Sequence, residues 1–259
     1  MIDLHSHILF DVDDGATTLA DSLAMARVAA HDGTHIIAAT PHSPGSSACR
    51  RYDPAQIHER VAQINAALAS EGVPIEVVSG SEIFFTSSIV EQLKRGQLLP
   101  YGQSRTILLE LVGATLPSAL DAMLFNLQLA GYRVLIAHPE RIAEVQQNPN
   151  RLIPLIERGV LMQLTAEALI GGHGERLRTT AETLLTHQLI HVLASDAHGL
   201  PPRRPPLLRA AHTRAAELVG QAAANALVET TPAALLANQP PRIPAPRPVS
   251  ASRSHWWKR

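Results

Sequence analysis

A parallel α/β fold, built as a barrel or as a doubly wound sheet, is predicted by two features of the chain. Seven short apolar runs alternate with helix-patterned segments over about 230 residues, the rhythm of repeated strand–helix units. The runs are also continuously apolar, as expected for strands covered on both faces.

The strand candidates are Ile2–Leu4, Ile36–Thr40, Ile75–Ser79, Thr106–Leu111, Val134–Ala137, Val160–Leu164 and Val192–Ala194. Each is too short for an independent helix, and most are rich in Ile, Val and Leu. Between the first two, Thr18 and Asp21 have capping-box spacing and Gly33 supplies a stop, predicting a helix over Ala20–Asp32. Asp53 followed by Pro54 reads as an N-cap and first-turn pair, leading into Ile57, Val61, Ile64 and Leu68 at helical spacing. Pro117 opens a segment that closes at Gly131, and Pro149 opens one that closes at Gly159. Further helices are predicted over Glu175–His187, Leu207–Leu218 and Pro232–Ala237. The folded domain is therefore placed at residues 1–238. Residues 239–259 contain no acidic side chain and five prolines, which predicts a flexible, basic, proline-rich tail ending near the Trp256–Trp257 pair.

Composition narrows the function classes. The 259 residues are 46% hydrophobic, enough for a large core, yet only 3% aromatic, so that core must be built from Ala, Leu, Val and Ile. A net charge of −1, from 22 basic and 23 acidic residues, gives no electrostatic case for nucleic acid or an anionic membrane as partner. No window reaches the roughly 18 apolar residues of a membrane span, and Asp3, His5 and His7 interrupt any signal-peptide core. Cys49 is the single cysteine, which excludes an internal disulfide and fits a reducing, cytoplasmic setting.

The chemistry-bearing residues fall at strand ends. His5 and His7 follow the first strand, His42 the second and Glu82 the third. Glu110 lies near the end of the fourth, His138 follows the fifth, and Asp196 and His198 follow the seventh; Asp14 lies in the first loop. In a parallel barrel all these ends open on one face. Residues i and i+2 of an extended segment point the same way, so His5 with His7, and Asp196 with His198, can reach one ion. Imidazole and carboxylate donors without thiolate suit Zn, Mn or Fe rather than a structural cysteine-type zinc site. His31, His35, His58, His173, His187, His191, His212 and His255 are read as solvated or locally bonded.

The opening Met1-Ile-Asp-Leu-His-Ser-His-Ile-Leu and Asp13-Asp14-Gly15 resemble the polymerase and histidinol phosphatase (PHP) superfamily. So, in order, do Ala39-Thr-Pro-His42, Gly80-Ser-Glu82-Ile, Ile136-Ala-His-Pro-Glu-Arg141 and Ala194-Ser-Asp-Ala-His198. More narrowly, residues 1–237 resemble the bacterial manganese-dependent protein-tyrosine phosphatases that control capsule and exopolysaccharide synthesis. The resemblance implies a distorted seven-stranded (β/α) barrel with three divalent ions, manganese foremost and iron or zinc as alternatives. Carried over by motif, His5, His7, Glu82 and Asp196 would hold the first ion; Glu82, Glu110 and His138 the second; Asp14, His42 and His198 the third. Three divalent ions against four carboxylates leave a net positive cluster, suited to a phosphomonoester dianion. The resemblance also implies a catalytic Arg141 and an arginine before a proline pair. Arg203-Arg204-Pro205-Pro206 offers two candidates for the latter, and matching the prolines selects Arg204.

The implied reaction is hydrolysis of phosphotyrosine by a hydroxide held between metals, with no covalent phosphoenzyme. The implied partner is an autophosphorylating tyrosine kinase with a tyrosine-rich tail, working in polysaccharide export. Cys49 is followed at once by Arg50 and Arg51 and lacks the C-x5-R spacing of a cysteine phosphatase. The segment Ser43–Tyr52 matches no carried pattern and reads as a mobile rim loop whose arginines are either solvated or contact an acidic peptide. Four alternatives remain: a small-molecule phosphomonoesterase such as histidinol phosphatase, a DNA-processing exonuclease, an amidohydrolase barrel, and a non-catalytic metal-binding scaffold for the kinase. The absence of a basic groove disfavours the exonuclease, and Glu110 in place of a bridging lysine disfavours the amidohydrolase.

Overall fold

The computed structural model describes residues 1–250, so the Trp256–Trp257 pair lies outside the described residues. All seven expected strands form, and their pairing is parallel throughout, but they are divided between two sheets. The first holds β1 (Ile2–Ser6), β2 (Ile36–Ala39) and β3 (Glu76–Ser79). The second holds, in order, β4 (Glu82–Phe84), β5 (Thr106–Glu110), β6 (Arg133–Ala137), β7 (Leu161–Thr165) and β8 (Val192–Ala194). A closed seven-stranded barrel is thus corrected to eight strands, among the described residues, in two sheets that meet at two seams.

Both seams lie where site residues replace ladder residues. At one, the chain steps aside at Gly80–Ser81, where a Cβ on Gly80 would stand 3.0 Å from the Tyr101 ring. Glu82 then pairs with His42 through a single bridge, with Glu82 N–H donating to the Pro41 carbonyl (3.1 Å) and Ser43 N–H to the Glu82 carbonyl (2.9 Å). At the other seam, between β1 and β8, the Asp3 carboxylate takes the place of a ladder strand. Its Oδ1 accepts from Ser195 N–H (3.0 Å) and His5 N–H (3.2 Å). Beyond it, Asp196 N–H donates to the His5 carbonyl and His7 N–H to the Ala197 carbonyl, each at 2.7 Å. Burial outweighs the hydrogen bonds to Asp3 and the nearby His5 and raises the Asp3 carboxyl to about 6.

The helices follow their local signals. Thr18 and Asp21 form the reciprocal capping box of α1 (Leu19–Asp32), and Gly33 closes it at φ 99°. Asp53 caps α2 (Pro54–Ser70), which buries Ile57, Val61, Ile64 and Leu68 as its spacing predicts. After the short α3 (Ile89–Lys94), which sequence patterning did not single out, the Pro117 segment becomes α4 (Leu120–Leu129). A 3-10 turn at Pro139–Arg141 leads into α5 (Ala143–Gln147). The Pro149 segment starts as a second 3-10 turn and continues as α6 (Ile153–Glu157). One turn, α7 (Ala166–Leu169), precedes α8 (Glu175–Thr186); α9 (Arg209–Val219), α10 (Gln221–Asn225) and α11 (Thr231–Leu236) complete the set. Residues 239–250 carry no regular structure, yet Val249 exchanges two hydrogen bonds with the Asn150 amide (2.8 and 2.9 Å).

Inside the strands, Ile2, Leu4, Ala38, Leu108, Leu135, Leu161, Val192 and Ala194 form an aliphatic core plugged by Tyr101 and Leu235. The two-residue strand period carries that face upward into polar chemistry: Leu108 is followed by Glu110, Leu161 by Gln163 and Ala194 by Asp196. The site therefore stands on a packed floor.

His191, just before β8, is buried and uses Nδ1 to accept from Met162 N–H at 3.0 Å. Burial pushes its pKa down to about 4. Its stabilising effect is complete above the unfolded value of about 6.5 and is lost as pH falls toward 4, a swing of up to about 3 kcal/mol. His191→Asn, which keeps an acceptor but no titration, is expected to remove that part of the acid destabilisation in chemical-denaturation curves between pH 7 and 4.

Candidate metal centre

All nine metal-type residues singled out in the sequence converge, in four overlapping groups whose donor atoms lie within 4.8 Å of one another. His7, Asp14, His42 and His198 form one group, and His5, His7 and Asp196 a second. His5, Glu82 and His138 form the third; His42, Glu82 and Glu110 the fourth. Glu110 Oε2 lies 3.6 Å from His42 Nδ1, and His138 and His42 approach opposite oxygens of Glu82. His138 Nε2 is 2.8 Å from Glu82 Oε1, while His5, His7 and His42 approach Oε2 at 3.4, 3.4 and 3.1 Å.

These distances describe donors facing a common space. His5 Nε2 and His7 Nε2 are 3.3 Å apart, and both face Asp196 Oδ1 at 3.3 and 3.5 Å. The orientation comes from behind. His7 Nδ1 is held by Asp13 Oδ2 (2.7 Å) and His5 Nδ1 by Gln163 Oε1 (3.0 Å), so each ring turns Nε2 inward. Buried atoms of Asp14 (Oδ1), His42 (Nδ1) and Glu110 (Oε2) have no hydrogen-bond partner. Buried polar atoms are normally paired. Three orphaned lone pairs directed into a cluster of His and carboxylate donors fit divalent cations of the borderline class.

Electrostatics agrees. Burial alone would lower the His5 imidazole, but Glu82 and Asp196 outweigh it and raise its pKa. Burial likewise opposes the charged form of Glu82 and Asp196, yet the surrounding imidazoles hold Glu82, and His5 with Arg141 holds Asp196, well below the ordinary carboxylate range. Asp14, half buried against His198, falls to about 2. The pocket stabilises anionic carboxylates and demands positive charge. Two site residues carry backbone strain: His138 (φ 33°) and Asp196 (φ 52°) both adopt left-handed conformations that non-glycine residues avoid.

The arginines separate clearly. Arg141 Nη2 donates to Asp196 Oδ2 (2.5 Å) and to Thr165 Oγ1 (3.2 Å). Arg204 Nη2 lies 3.2 Å from the same Asp196 oxygen and 2.9 Å from His198 Nδ1. Arg203 instead turns away, donating to the Asp14 and Gly15 carbonyls behind the first loop. At the end of the segment Ser43–Tyr52, Arg50 N–H and Arg51 N–H both donate to the Val12 carbonyl at 2.9 Å.

Comparison with known proteins then places this geometry. The model of the capsular polysaccharide synthesis family CpsB/CapC matches residues 1–237. This chain belongs to the CpsB/CapC family. Among its relatives, tyrosine-protein phosphatase YwqE of Bacillus subtilis is 38% identical over 203 residues, 78% of this chain and 79% of YwqE. Tyrosine-protein phosphatase CpsB of Streptococcus agalactiae is 28% identical, over 92% of this chain and 99% of its own length. A solved structure from work on B. subtilis YwqE and Streptococcus pneumoniae CpsB, described as metal-dependent tyrosine phosphatases, superposes with a TM-score of 0.91 at 35% identity. That match covers 97% of this chain and 100% of the other. The Escherichia coli phosphotriesterase homology protein shares the fold at 13% identity and a TM-score of 0.60.

Within this CpsB/CapC site, two functional positions were not assigned from the sequence. Asp13 stands beside Asp14, and the motif singles out only Asp14 as the metal-type residue; Asp13 also accepts from His42 N–H (3.0 Å) and Gly15 N–H (2.8 Å). Gln163 had one signal, a lone amide within the apolar run of β7. Asp13→Asn is expected to weaken metal affinity about 10- to 100-fold, read by metal titration, because His7 loses its fixed tautomer. Gly15→Ala is expected to be harsher still: its Cβ would fall 2.0 Å from the His7 carbonyl oxygen, so the loop bearing Asp14 must move, and bound metal per chain should drop.

Proposed function

We infer that this chain is a metal-dependent protein-tyrosine phosphatase that uses no cysteine nucleophile. The observation that carries the reading is the joint presence of a complete His/carboxylate donor set and two arginines meeting on its Asp196 edge. Our reading is that three divalent ions, manganese foremost with iron or zinc as alternatives, are held by His5, His7, Asp14, His42, Glu82, Glu110, His138, Asp196 and His198. Glu82, a member of two donor groups, is the shared carboxylate. Divalent metal bound there supplies Lewis-acid charge and makes water a competent nucleophile at neutral pH.

The chain's own residues do the rest. Arg141 spends one nitrogen on Asp196 and Thr165, leaving Nε and Nη1 without hydrogen-bonded partners among the described residues. Arg204 similarly retains Nη1. These donors suit the non-bridging oxygens of a phosphomonoester and stabilise charge that grows as the ester bond breaks. Asp196 fixes both guanidiniums before substrate arrives, so little reorganisation is needed. The protein substrate we propose is a bacterial autophosphorylating tyrosine kinase with a tyrosine-rich tail, acting in capsule or exopolysaccharide synthesis. No helix among the described residues is long and apolar enough to cross a membrane, and we place the enzyme in the cytoplasm.

Phosphate release from a phosphotyrosine peptide and from histidinol phosphate, with manganese and after chelation, tests the reading. Metal-dependent turnover favouring the peptide is the expected result; preference for histidinol phosphate would overturn the substrate assignment. His5→Ala and Glu82→Ala should each abolish metal-dependent turnover, and Arg141→Ala should lower kcat by roughly 100-fold or more. Full activity in His5→Ala would sink the site assignment.

A further inference from the structure

Hydrolysis of an aryl phosphate poses a problem that the metal ligands and arginines do not address. The tyrosyl oxygen is strongly basic, with a conjugate acid of pKa about 10, so it leaves more easily when it receives a proton. Nine metal-type residues are committed as ligands, and Arg141 and Arg204 hold their protons too tightly to give them up. A separate acid is required.

β7 points to one. In the five-stranded sheet it lies between β6 and β8. β6 runs into His138 and β8 into Asp196, but β7 runs instead into Glu167 and a glycine-flanked histidine, Gly171-Gly-His173-Gly174. The β7 end also borders the arginine platform directly, since Thr165 Oγ1 accepts from Arg141. The loop is shaped to bring Glu167 and His173 together. Gly172 N–H donates to the Glu167 carbonyl at 2.9 Å, and a Cβ on Gly172 would lie 2.3 Å from Glu167 Cγ. His173 Nε2 is buried, lacks a hydrogen bond and faces Glu167 Oε2 at 3.7 Å. That leaves Nδ1 as the nitrogen with no carboxylate partner.

Building on the phosphatase reading, we propose that His173, oriented by Glu167, is the catalytic acid that protonates the departing tyrosyl oxygen. Water adds to phosphorus through its oxygen as the bond from phosphorus to the tyrosyl oxygen breaks. His173 Nδ1 passes its proton to that oxygen, giving tyrosine and inorganic phosphate. The proton released by water goes to solvent, and solvent returns one to the imidazole.

The charges around His173 favour proton uptake when substrate is present. Burial, Arg141 from the turn after β6 and Arg204 from beyond β8 push its pKa down, while Glu167 from α7 and Asp196 from the end of β8 hold it up. A phosphoryl dianion lying on the two arginines opposes their effect, which shifts the imidazole pKa upward in the complex that needs its proton.

The test compares phenyl phosphate, with a basic leaving group, and dinitrophenyl phosphate, whose leaving group needs no proton, alongside the phosphotyrosine peptide. In the manganese-loaded full-length enzyme, His173→Gln is expected to lose about 100-fold or more in kcat on phenyl phosphate and the peptide, but about threefold or less on dinitrophenyl phosphate. Bound metal should stay unchanged. Equal losses on the two aryl esters, or no loss on either, would overturn the proposal. In Glu167→Gln the basic limb of the kcat–pH profile should move to lower pH, because the imidazole loses the carboxylate that raises its pKa; a stationary limb would refute the pairing. Failure of the wild-type enzyme on the peptide alone would refute the tyrosine-phosphatase reading, while the aryl pair still decides the role of His173.

Discussion

A carboxylate taken out of water and surrounded by imidazoles sets the terms for the rest of this structure. Glu82 is buried to 1% exposure, with His5, His7, His42 and His138 within 3.4 Å of its two oxygens. An ionised carboxylate in such a place costs several kcal/mol unless opposite charge is supplied. Neutral imidazoles cannot supply it, and they present lone pairs of their own. Cations satisfy both requirements at once, which is why the orphaned atoms of Asp14, His42 and Glu110 and the anionic state of Asp196 belong to one explanation.

The same requirement explains why the sheet is interrupted. A continuous third strand would carry Glu82 along the ladder begun at Glu76–Ser79; the step at Gly80–Ser81 lets it pair beside His42. At the opposite seam, the ladder between β1 and β8 yields to the Asp3 carboxylate so that Asp196 can adopt its left-handed backbone and turn inward. Regular hydrogen bonding is given up at two places, and at both the freed positions hold metal-type side chains. The fold alone does not dictate such a site; the side chains placed at the strand ends do.

Positioning residues act over long sequence distances. Gln163 orients His5 from 158 residues away, and Asp196 binds Arg141 from 55 residues away. Asp13 is local to His7, but it also tethers the backbone of His42 on another strand. Rigid strands carry these groups, so the precision of the centre derives from the aliphatic floor beneath it: Leu108, Leu161 and Ala194 each lie two residues before a polar side chain of the site or its support.

Local features were legible in the sequence because local physics determines them. The capping box at Thr18 and Asp21, the Asp53–Pro54 start, the apolar strands and the paired His5/His7 all follow from backbone preference and side-chain period. Those strand ends, with Asp14 in the first loop, supplied the nine metal-type residues. Other features needed the tertiary structure: the division into two sheets, the contact of Arg204 with Asp196, the approach of Glu110 to His42, and the contacts of Asp13 and Gln163 with His7 and His5. Each depends on the stagger between strands and the direction taken by a turn, quantities that a one-dimensional period does not carry. The proline pair selects Arg204 in the sequence, but only the folded turn sends its guanidinium to the carboxylate and that of Arg203 to the backbone behind it.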